Sequence, residues 1–495
     1  YSYWQVEGVA QEKSVIMGDL VEALGYKSDS AKSPELFIDD EIMPVAKYPN
    51  DGFLTVDVVT EAGPFMRNWN DDIMGSQNWV PPEDRVPTPF RFINKNVQNR
   101  LEKWQTADQA IMWGKWYWDW ATQSVPLDYV VPSSGEIASA VPSAFSVKAG
   151  QPWYIYNLLE EIDEPGEYFI DRNSGYLYLY PRKDMESTEE IILTLLDGAT
   201  VHCHVASYIK FRGIDISRSR RHAIYLDKSD NIRILDTEIS YTADYGVRIE
   251  ASENCVVTDA YIHDVDGGVA IAECGDLENL VKGNCGVENS EIERFARLSG
   301  TGKLAVSLYG CGNYARYNEI HNAQHMAIDF RGPYNEISYN NIYDVCQEAD
   351  DAGAIYGGRR LAVDYGTVIK YNYIHDCTPN VEFTGGALAV YLDDFLSGIT
   401  VSGNIIENMQ IGGQFSGYNN EWTNNIFINC EYYAIRNAFD ANISAFSMKP
   451  QLVSEWKAAE YLKNDAWKNA FPALYKLTEE NYTNDKVSTG NIVAN

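Results

Sequence analysis

A short motif that recurs along the second half of the chain constrains the fold most. Its clearest copies are YNEIHN at 317–322, YNNIYD at 339–344, YNYIHD at 371–376, GNIIEN at 403–408 and NNIFIN at 424–429, and weaker copies are RGIDIS at 212–217, DTEISY at 236–241, DAYIHD at 259–264 and NSEIER at 289–294. The second residues of the copies stand at 213, 237, 260, 290, 318, 340, 372, 404 and 425. The shortest spacings cluster near 22–24 residues. This period is typical of a solenoid coil with three short strands, and longer spacings indicate insertions into the same coil.

Each of the five clearest copies ends in Asn or Asp, after an alternation of period two that is typical of a strand. Both residues tolerate a left-handed backbone and form hydrogen bonds within their own turn. Stacked coils would also let successive Asn side chains bond to one another. We therefore expect the terminal positions to form a structural ladder without a chemical role: Asn322, Asp344, Asp376, Asn408 and Asn429.

A second strand follows the motif in each coil. It reads HAIYL at 222–226, GVRIE at 246–250, GVAIA at 268–272, MAIDF at 326–330, GAIYG at 353–357, LAVYL at 388–392 and YAIRN at 433–437. The Ile, Val and Leu residues should point inward, and the residue between them outward: Asp329, Tyr356, Tyr391 and Arg436. The predicted fold is all-β, a right-handed parallel β-helix whose coils stack about 4.7–4.9 Å apart.

The repeat and the two regions that flank it divide the chain into three predicted parts. They are a β-rich accessory region at 1–200, the catalytic β-helix at 201–440 and a C-terminal helical or extended segment at 441–495. In the first part, 34–53 and 165–181 read as strands around turns. The Trp-rich tract at 113–124 favours a packed interface with the β-helix over a sugar-binding platform. The amphipathic stretch at 454–477 should cover an end or flank of the solenoid.

The net charge of −32 disfavours nucleic acid, because a field of that sign repels polyanions, and it weighs more weakly against acidic polysaccharides. No run of about 18 apolar residues predicts a membrane span. The eight cysteines form no CxxC pair, so we expect them to fill buried coil positions and expect no zinc site. We expect no cofactor and no metal, with structural calcium at Asp350 and Asp351 as the alternative.

The chain opens with YSYWQVEGVA, which has neither the basic nor the apolar segment of a signal peptide. We interpret it as a mature product or a piece of something longer, with room for further domains or subunits beyond either end. The expected location is secreted or at a bacterial cell surface.

The candidate site lies where neighbouring coils break their period. The turns at 345–353 and 377–386 are the two largest consecutive insertions, and lengthened turns on adjacent coils make the walls of a cleft. The carboxylates predicted to be catalytic are Asp350, Asp351, Glu382, Asp393 and Asp329. The residues predicted to bind substrate are Tyr356, Tyr391, Arg359, Arg331 and His325. Carboxylates serve acid–base or nucleophilic chemistry and aromatic rings stack on sugars, so this mixture suits a neutral or partly charged sugar.

Several of these residues also have simpler interpretations. Asp350 and Asp351 could cap the turn, Asp393 could simply end a strand, and Glu382 could be solvated in its loop. Asp329 could pair with Arg331 on the surface. Equivalent side chains on adjacent coils lie near 5 Å apart and those two coils apart near 9–10 Å, so the coil spacing is compatible with a retaining or an inverting glycosidase.

Six segments together resemble the bacterial right-handed β-helix glycoside hydrolases. They are ELFIDDEIMPVAKYPNDGF at 35–53, PGEYFIDRNSGYLYLYP at 165–181, DDAGAIYGGRR at 350–360, GTVIKYNYIHD at 366–376, AVYLDD at 389–394 and AWKNAFPALY at 466–475. Family 141, with fucosidase- and xylanase-type members, is the nearest, and the family 136 lacto-N-biosidases and family 120 β-xylosidases share the architecture. The resemblance implies hydrolysis by Asp351 with a partner one coil away, matched here by Glu382 or Asp393. The GGRR sequence departs from the pattern, since many relatives carry an acidic residue there.

The leading functional hypothesis is a glycoside hydrolase that acts on an oligosaccharide or glycan. A polysaccharide lyase is the alternative, with Arg359, Arg360 or Tyr391 as base or charge neutraliser. A non-catalytic carbohydrate-binding solenoid is the third hypothesis, but it does not predict lengthened turns clustered on adjacent coils.

Overall fold

The computed structural model describes residues 2–5, 33–63, 68–70, 73–78, 88–104, 106–182, 185–188, 190–358, 363–379, 386–438, 459–476 and 490–494. Within these ranges the chain divides into two compact units. The first comprises Tyr1–Asn68 and Asn78–Leu195, and the second comprises Trp69–Gln77 and Leu196–Asn495.

Most strands that precede residue 195 pair antiparallel. The strands of this part are listed in chain order. They are β1 (Ser2–Gln5), β2 (Leu36–Ile38), β3 (Glu41–Ile42), β4 (Lys47–Tyr48), β5 (Leu54–Thr55), β6 (Val58–Glu61), β7 (Asn68–Asn70), β8 (Ile73–Asn78), β9 (Arg91–Ile93), β10 (Ile111–Gly114), β11 (Gln123–Val131), β12 (Glu136–Ser139), β13 (Pro152–Tyr156), β14 (Tyr168–Asp171), β15 (Tyr176–Leu179) and β16 (Ile191–Leu193). The antiparallel sheet orders are β4-β13-β10-β11-β12-β9-β6 with β5 on β13, β1-β15-β14 and β16-β2-β3, and β7 and β8 form a two-stranded sheet of their own.

The two strand-turn segments predicted in the first unit are confirmed. Strand β2 pairs with β3 across a turn at Asp39 and Asp40, both with positive φ, and β14 pairs with β15 around the Asn-Ser-Gly turn. Short helical segments lie at Lys95–Val97, α1 (Gln98–Leu101), Ala107–Gln109, Leu159–Glu161 and Met185–Ser187. Trp116 is buried in the core of this unit and packs 4.6 Å from the ring of Phe90, so part of the Trp-rich tract supports its own unit.

The second unit is a right-handed parallel β-helix, as predicted. Its strands are β17 (Val201–His204), β18 (Lys210–Arg212), β19 (Ile216–Ser219), β20 (Ile224–Asp227), β21 (Arg233–Thr242), β22 (Tyr245–Glu250), β23 (Val256–His263), β24 (Gly267–Asp276), β25 (Val281–Lys282), β26 (Gly286–Glu288), β27 (Glu291–Glu293), β28 (Val306–Gly310), β29 (Tyr314–Arg316), β30 (Glu319–His321), β31 (Ile328–Arg331), β32 (Glu336–Ser338), β33 (Asn341–Tyr343), β34 (Ala352–Gly357), β35 (Val368–Lys370), β36 (Tyr373–His375), β37 (Ala387–Leu392), β38 (Thr400–Ser402), β39 (Ile405–Glu407), β40 (Ile411–Phe415), β41 (Glu421–Thr423), β42 (Ile426–Ile428), β43 (Arg436–Asn437) and β44 (Ile492–Ala494).

Parallel pairing arranges these strands as three faces in the described part of the chain, apart from β25, which pairs antiparallel with the end of β24. The first face runs β17-β20-β22-β24-β28-β31-β34-β37-β40-β43. The second runs from β18 through β26, β29, β32, β35, β38 and β41 to β44, and the third from β19 through β27, β30, β33, β36 and β39 to β42. The long strands β21 and β23 each bend from the second face to the third.

The core is filled by the inward residues of the three faces, as the alternation predicts. The inward residues that follow one another in register on the first face are fully or almost fully buried: Ile224, Val247, Val269, Val306, Ile328 and Ile355. Each buried aliphatic side chain of this size stabilises the fold by about 1.5–3 kcal/mol. The eight cysteines are all free thiols and seven of them are buried, as expected.

The strongest asparagine ladder lies one corner away from the predicted one. It joins the second residues of the motif, where each side-chain amide donates to the next along Asn318, Asn340, Asn372, Asn404 and Asn425 at 2.9–3.0 Å. These side chains are buried, so their hydrogen bonds hold successive coils in register.

The terminal residues of the motif have the predicted left-handed backbone. Asn322, Asp344, Asp376, Asn408 and Asn429 all have φ between 50° and 55°. Their side chains form a weaker, exposed chain, in which Asn429 donates to Asn408 and Asn408 donates to Asp376.

Helices near the C-terminus cover a flank of the β-helix. They comprise a turn at Glu460–Lys463, α2 (Asp465–Ala470) and α3 (Pro472–Lys476). Trp467 is buried and its indole donates to the carbonyl of Leu277 at 2.9 Å. Beyond them β44 adds a strand beside β41 on the second face. In the described residues no helix is both long and apolar enough to cross a membrane.

Candidate active site

The outward side chains in the middle of the first face form a polar file on successive coils. Register pairs Ser307 with Asp329, Asp329 with Tyr356, Tyr356 with Tyr391, and Tyr391 with Gln414. Because paired strands lie about 4.8 Å apart, side chains on neighbouring coils can contact one another directly.

The carboxyl of Asp351 forms a hydrogen bond with Tyr391, a member of this polar file. Asp351 follows the turn at 345–350 with φ 51°, directly before β34, and its Oδ1 accepts a hydrogen bond from the Tyr391 hydroxyl at 3.0 Å. The residue is exposed to solvent although protein atoms crowd its carboxyl. That combination describes a group that is partly desolvated and still reachable.

The pKa of Asp351 is raised to about 6. Burial is the largest cause, because desolvation disfavours the charged carboxylate, and the negative charge of Asp393 adds to it. The hydrogen bond from Tyr391 and the charge of Arg436 act in the opposite direction. Asp351 and Asp393 therefore interact electrostatically, and Asp351 carries a proton for part of the time near neutral pH.

Asp393 lies at the other end of the same strands, directly after β37. Its Oδ2 accepts a hydrogen bond from the Tyr356 hydroxyl at 3.1 Å, and its Oδ1 accepts one from the backbone N–H of Asp394 at 2.8 Å. The rings of Tyr356 and Tyr391 meet edge to face at 5.4 Å. The two tyrosines thus connect the two carboxyl groups.

Asp329 forms a third acidic point one coil before Tyr356. Its Oδ2 accepts a hydrogen bond from the Tyr309 hydroxyl at 2.5 Å and lies 3.4 Å from the Arg331 guanidinium. Asp329 is 3% exposed, whereas the Arg331 side chain is 45% exposed. The charge of Asp329 raises the pKa of Arg331, and burial raises the pKa of Tyr309 well above its usual value, so both remain donors.

Asp350 and His325 are both buried, whereas Asp351 is exposed. Asp350 is 1% exposed, and its Oδ1 accepts hydrogen bonds from the backbone N–H groups of Asp351 and Gly386. His325 is 3% exposed, and its Nδ1 lies 3.4 Å from the backbone nitrogen of Gly302. The two hydrogen bonds of Asp350 fix the turn that carries Asp351, in agreement with the turn-capping interpretation of Asp350.

Gly353 shows why the DDAGAIY sequence needs a glycine. A Cβ atom at this position would lie 2.7 Å from Cβ of Tyr391, closer than real Cβ contacts come. The absence of a side chain lets the chain after Asp351 approach Tyr391 and brings the carboxyl within reach of its hydroxyl.

Two of the predicted site residues, Glu382 and Arg359, lie outside the described residues, as does Arg360. Of the other eight, six come together on the first face: Asp351, Asp393, Asp329, Tyr356, Tyr391 and Arg331. Asp350 holds the turn that carries Asp351, and His325 is buried and contacts Gly302.

Sequence reasoning missed Tyr309 and Gln414. Strand β28 follows an insertion that hides its place in the repeat, although AVSLYG at 305–310 has the alternation of a strand. Gln414 follows a pair of glycines that interrupts the aliphatic pattern. Its Oε1 accepts a hydrogen bond from the Arg436 guanidinium at 2.6 Å, which extends the polar file by two coils beyond Tyr391.

Comparison with known proteins agrees with this fold. The family described as right handed beta helix region matches residues 177–303. No significant match occurs among curated proteins. A solved structure described as a glycoside hydrolase superposes with a TM-score of 0.59 at 13% identity, covering 81% of this chain and 77% of the other.

Two further solved structures are less similar. An alginate lyase from Paenibacillus sp. str. FPU-7 superposes with a TM-score of 0.33 at 13% identity, over 44% of this chain and 76% of the other. A GH136 lacto-N-biosidase from Eubacterium ramulus does so with 0.31 at 14% identity, over 43% of this chain and 48% of the other. At such identities the likeness is one of fold, and membership of family 141 stays a prediction.

Proposed function

We propose that this protein is a glycoside hydrolase that cleaves a glycosidic bond in a neutral oligosaccharide or glycan on the first face of its β-helix. The observation that carries the proposal is the pair Asp351 and Asp393, two carboxyl groups that interact and are contacted by different tyrosines. Glycoside hydrolysis needs one carboxyl that can donate a proton and a second that acts as nucleophile or base.

Asp351 takes the role of general acid in this proposal. A carboxyl with a pKa of about 6 is protonated in a useful fraction near neutral pH and can protonate the leaving oxygen. Asp393 takes the role of the ionised partner, which attacks the anomeric carbon or activates a water molecule. Its hydrogen bonds from Tyr356 and the Asp394 N–H stabilise the charged form.

The neighbours of the pair would hold the sugar. Arg331, whose side chain is 45% exposed and contacts the buried Asp329, offers donors for sugar hydroxyls one coil away, and Arg436, which donates to the buried Gln414, does so on the other side. This arrangement suits a substrate that spans several coils. The structure described as a glycoside hydrolase adds support at the level of fold.

A polysaccharide lyase is the weaker candidate. A lyase needs a base that removes a proton next to a uronate carboxylate, and Tyr391 is the described residue that the sequence suggests for this role. Burial, followed by the charges of Asp393 and Asp351, raises the pKa of Tyr391 well above its usual value. A phenolate is therefore disfavoured here, as is a negatively charged substrate beside these carboxylates.

The test is a panel of aryl glycosides, neutral oligosaccharides and uronate polymers with analysis of the products. We expect new reducing ends from neutral substrates and no ultraviolet-absorbing unsaturated sugar. The variant Asp351→Asn should lose this activity while its circular dichroism spectrum stays that of the wild type. Unsaturated products from a uronate polymer, or wild-type activity of Asp351→Asn on the cleaved substrate, would contradict the proposal.

A further inference from the structure

The first coil of the β-helix carries a cluster of side chains that the proposed hydrolase does not use. Strand β17 contains the sequence His202-Cys203-His204. Cys203 points into the core and is 7% exposed, whereas both histidines are exposed. Alternate residues of a strand share one side, so the two imidazoles project together from the first face.

A carboxylate on the next coil completes a set of three. Register pairs His204 with Asp227, and Nδ1 of His204 lies 2.6 Å from Oδ2 of Asp227. One ligand atom from each of His202, His204 and Asp227 lies within 4.8 Å of the other two. Zinc holds tetrahedral ligands at about 2.0–2.2 Å, which places ligand atoms about 3.4 Å apart. Both histidine side chains are exposed and the Asp227 side chain is 18% exposed, so small rotations of the two imidazoles would close that gap.

Neighbouring side chains orient the three candidate ligands. The ring of His202 lies flat against Tyr225 at 4.8 Å with 9° between the planes. The Tyr225 hydroxyl donates to Glu250 at 2.9 Å, and Glu250 also accepts from Arg248 at 2.8 Å. Contacts of this kind, which fix a ligating ring without touching the ion, are usual around metal sites.

A second group of similar composition shows why this one is chosen. Glu291, Glu293 and His321 also bring ligand atoms together on the third face. There, however, Glu293 pairs with Arg294 and accepts from the Tyr261 hydroxyl at 2.5 Å. The Glu293 carboxylate is therefore already paired with the guanidinium of Arg294. Among the described residues no arginine or lysine pairs with Asp227, and Oδ2 of Asp227 contacts Nδ1 of His204 instead.

We infer that His202, His204 and Asp227 bind one divalent cation of the zinc class. Two imidazoles and a carboxylate are ligands that zinc accepts, and a water molecule would complete the tetrahedron on the solvent side. The ion would tie β17, the first strand of its sheet, to β20 and so secure the start of the solenoid. The expectation of no metal rested on the cysteine spacing, and the H-x-H pattern is a separate signal.

The test titrates the chelator-treated full-length protein with Zn2+ by calorimetry and with Co2+ by visible absorption. We expect one equivalent of Zn2+ to bind, an intense absorption band typical of tetrahedral Co2+, and a higher melting temperature with Zn2+. His204→Ala should weaken binding by more than about 100-fold, because even changes behind the ligands cost about 10- to 100-fold. The matched variant His321→Ala should bind as the wild type does.

Three results would overturn the inference: no binding of Zn2+ above the background of the buffer, binding that survives in both His204→Ala and His202→Ala, or binding that His321→Ala removes. The His204 side chain is 57% exposed, so its replacement should leave the fold intact, and a matching circular dichroism spectrum verifies this. Glycosidase activity does not enter the readout, so failure here leaves the proposed hydrolase untouched.

Discussion

The first and third faces of the β-helix are built from the same coils, yet Asp351 on the first face has an electrostatic environment different from that of Glu293 and Asp376 on the third face and its corner. On the third face and its corner, Glu293 contacts Arg294 and Asp376 lies 2.6 Å from His375, and the pKa of each carboxyl is lowered. On the first face, Asp351 is crowded by protein atoms and lies near the charge of Asp393, and its pKa is raised to about 6. A carboxyl group of this solenoid can therefore lie beside a basic side chain, as Glu293 and Asp376 do, or be crowded by protein atoms near a second carboxyl, as Asp351 is.

The largest difference should appear when Asp351→Asn is compared with Asp376→Asn. Both residues have a left-handed backbone, with φ 51° and 53°, and Asn tolerates this conformation, so the two changes are structurally equivalent. We expect kcat to fall about 10²–10⁴-fold for Asp351→Asn, because the proton donor is lost, and to stay near wild type for Asp376→Asn. Equal activity of the two variants on a cleaved glycoside would remove the distinction between the faces.

The buried asparagine ladder should contribute to the stability of the β-helix and not to its activity. Asn372 donates to the carbonyl of Ile337 and to Asn404, and it accepts from Asn340. Asn372→Ala should lower the free energy of unfolding by about 2–4 kcal/mol, since buried partners lose their hydrogen bonds. Asn341→Ala on the adjacent strand, where the side chain is half-buried, is the control and should cost under about 1 kcal/mol. Denaturant unfolding measures both, and similar losses would contradict the ladder's role.

Replacement of Tyr391 should change the pH dependence of kcat/KM more than its maximum value. The Tyr391 hydroxyl bonds to the charged form of Asp351 and lowers its pKa, so Tyr391→Phe should raise that pKa. The general acid then stays protonated to higher pH, and the alkaline limb of kcat/KM moves upward by less than about one pH unit. An unchanged limb, or one that moves to lower pH, would show that Asp351 is not the group titrated there.

The smallest effect should come from an ion pair on the second face. Glu336 accepts from Ser338 at 2.8 Å and lies 3.2 Å from Lys370. Burial alone would raise the pKa of Glu336, but these two contacts lower it, so its contribution to stability is present above its ordinary pKa and is lost as the pH falls. Glu336→Gln should cost at most about 1 kcal/mol at neutral pH, and less at high salt. A salt-independent loss above this would mean that the pair is not simply a surface contact.

The repeat in the sequence was enough to predict the β-helix, because period and alternation report directly which residues must face the core. The same pattern located Asp329, Tyr356 and Tyr391 on one outward file. It could not tell that the buried ladder would run through Asn340 rather than Asp344, since both recur with the same period and only the bend of the corner decides which side chain enters.

The site was harder to derive than the fold. The hydrogen bond between Tyr391 and Asp351 depends on how closely the chain at Gly353 packs against the next coil, which no local pattern encodes. The contribution of Tyr309 depends on an insertion whose length hides the register of β28.

The most direct test of the central claim needs no substrate. Carbon-13 NMR of aspartate carboxyl groups, with Asp351 assigned through Asp351→Asn, measures its pKa in the wild type and in Asp393→Asn. We expect about 6 in the wild type and a lower value in Asp393→Asn, because removal of the neighbouring negative charge favours ionisation. An ordinary aspartate pKa in the wild type, or no decrease in Asp393→Asn, would contradict the account of a coupled acid pair on the first face.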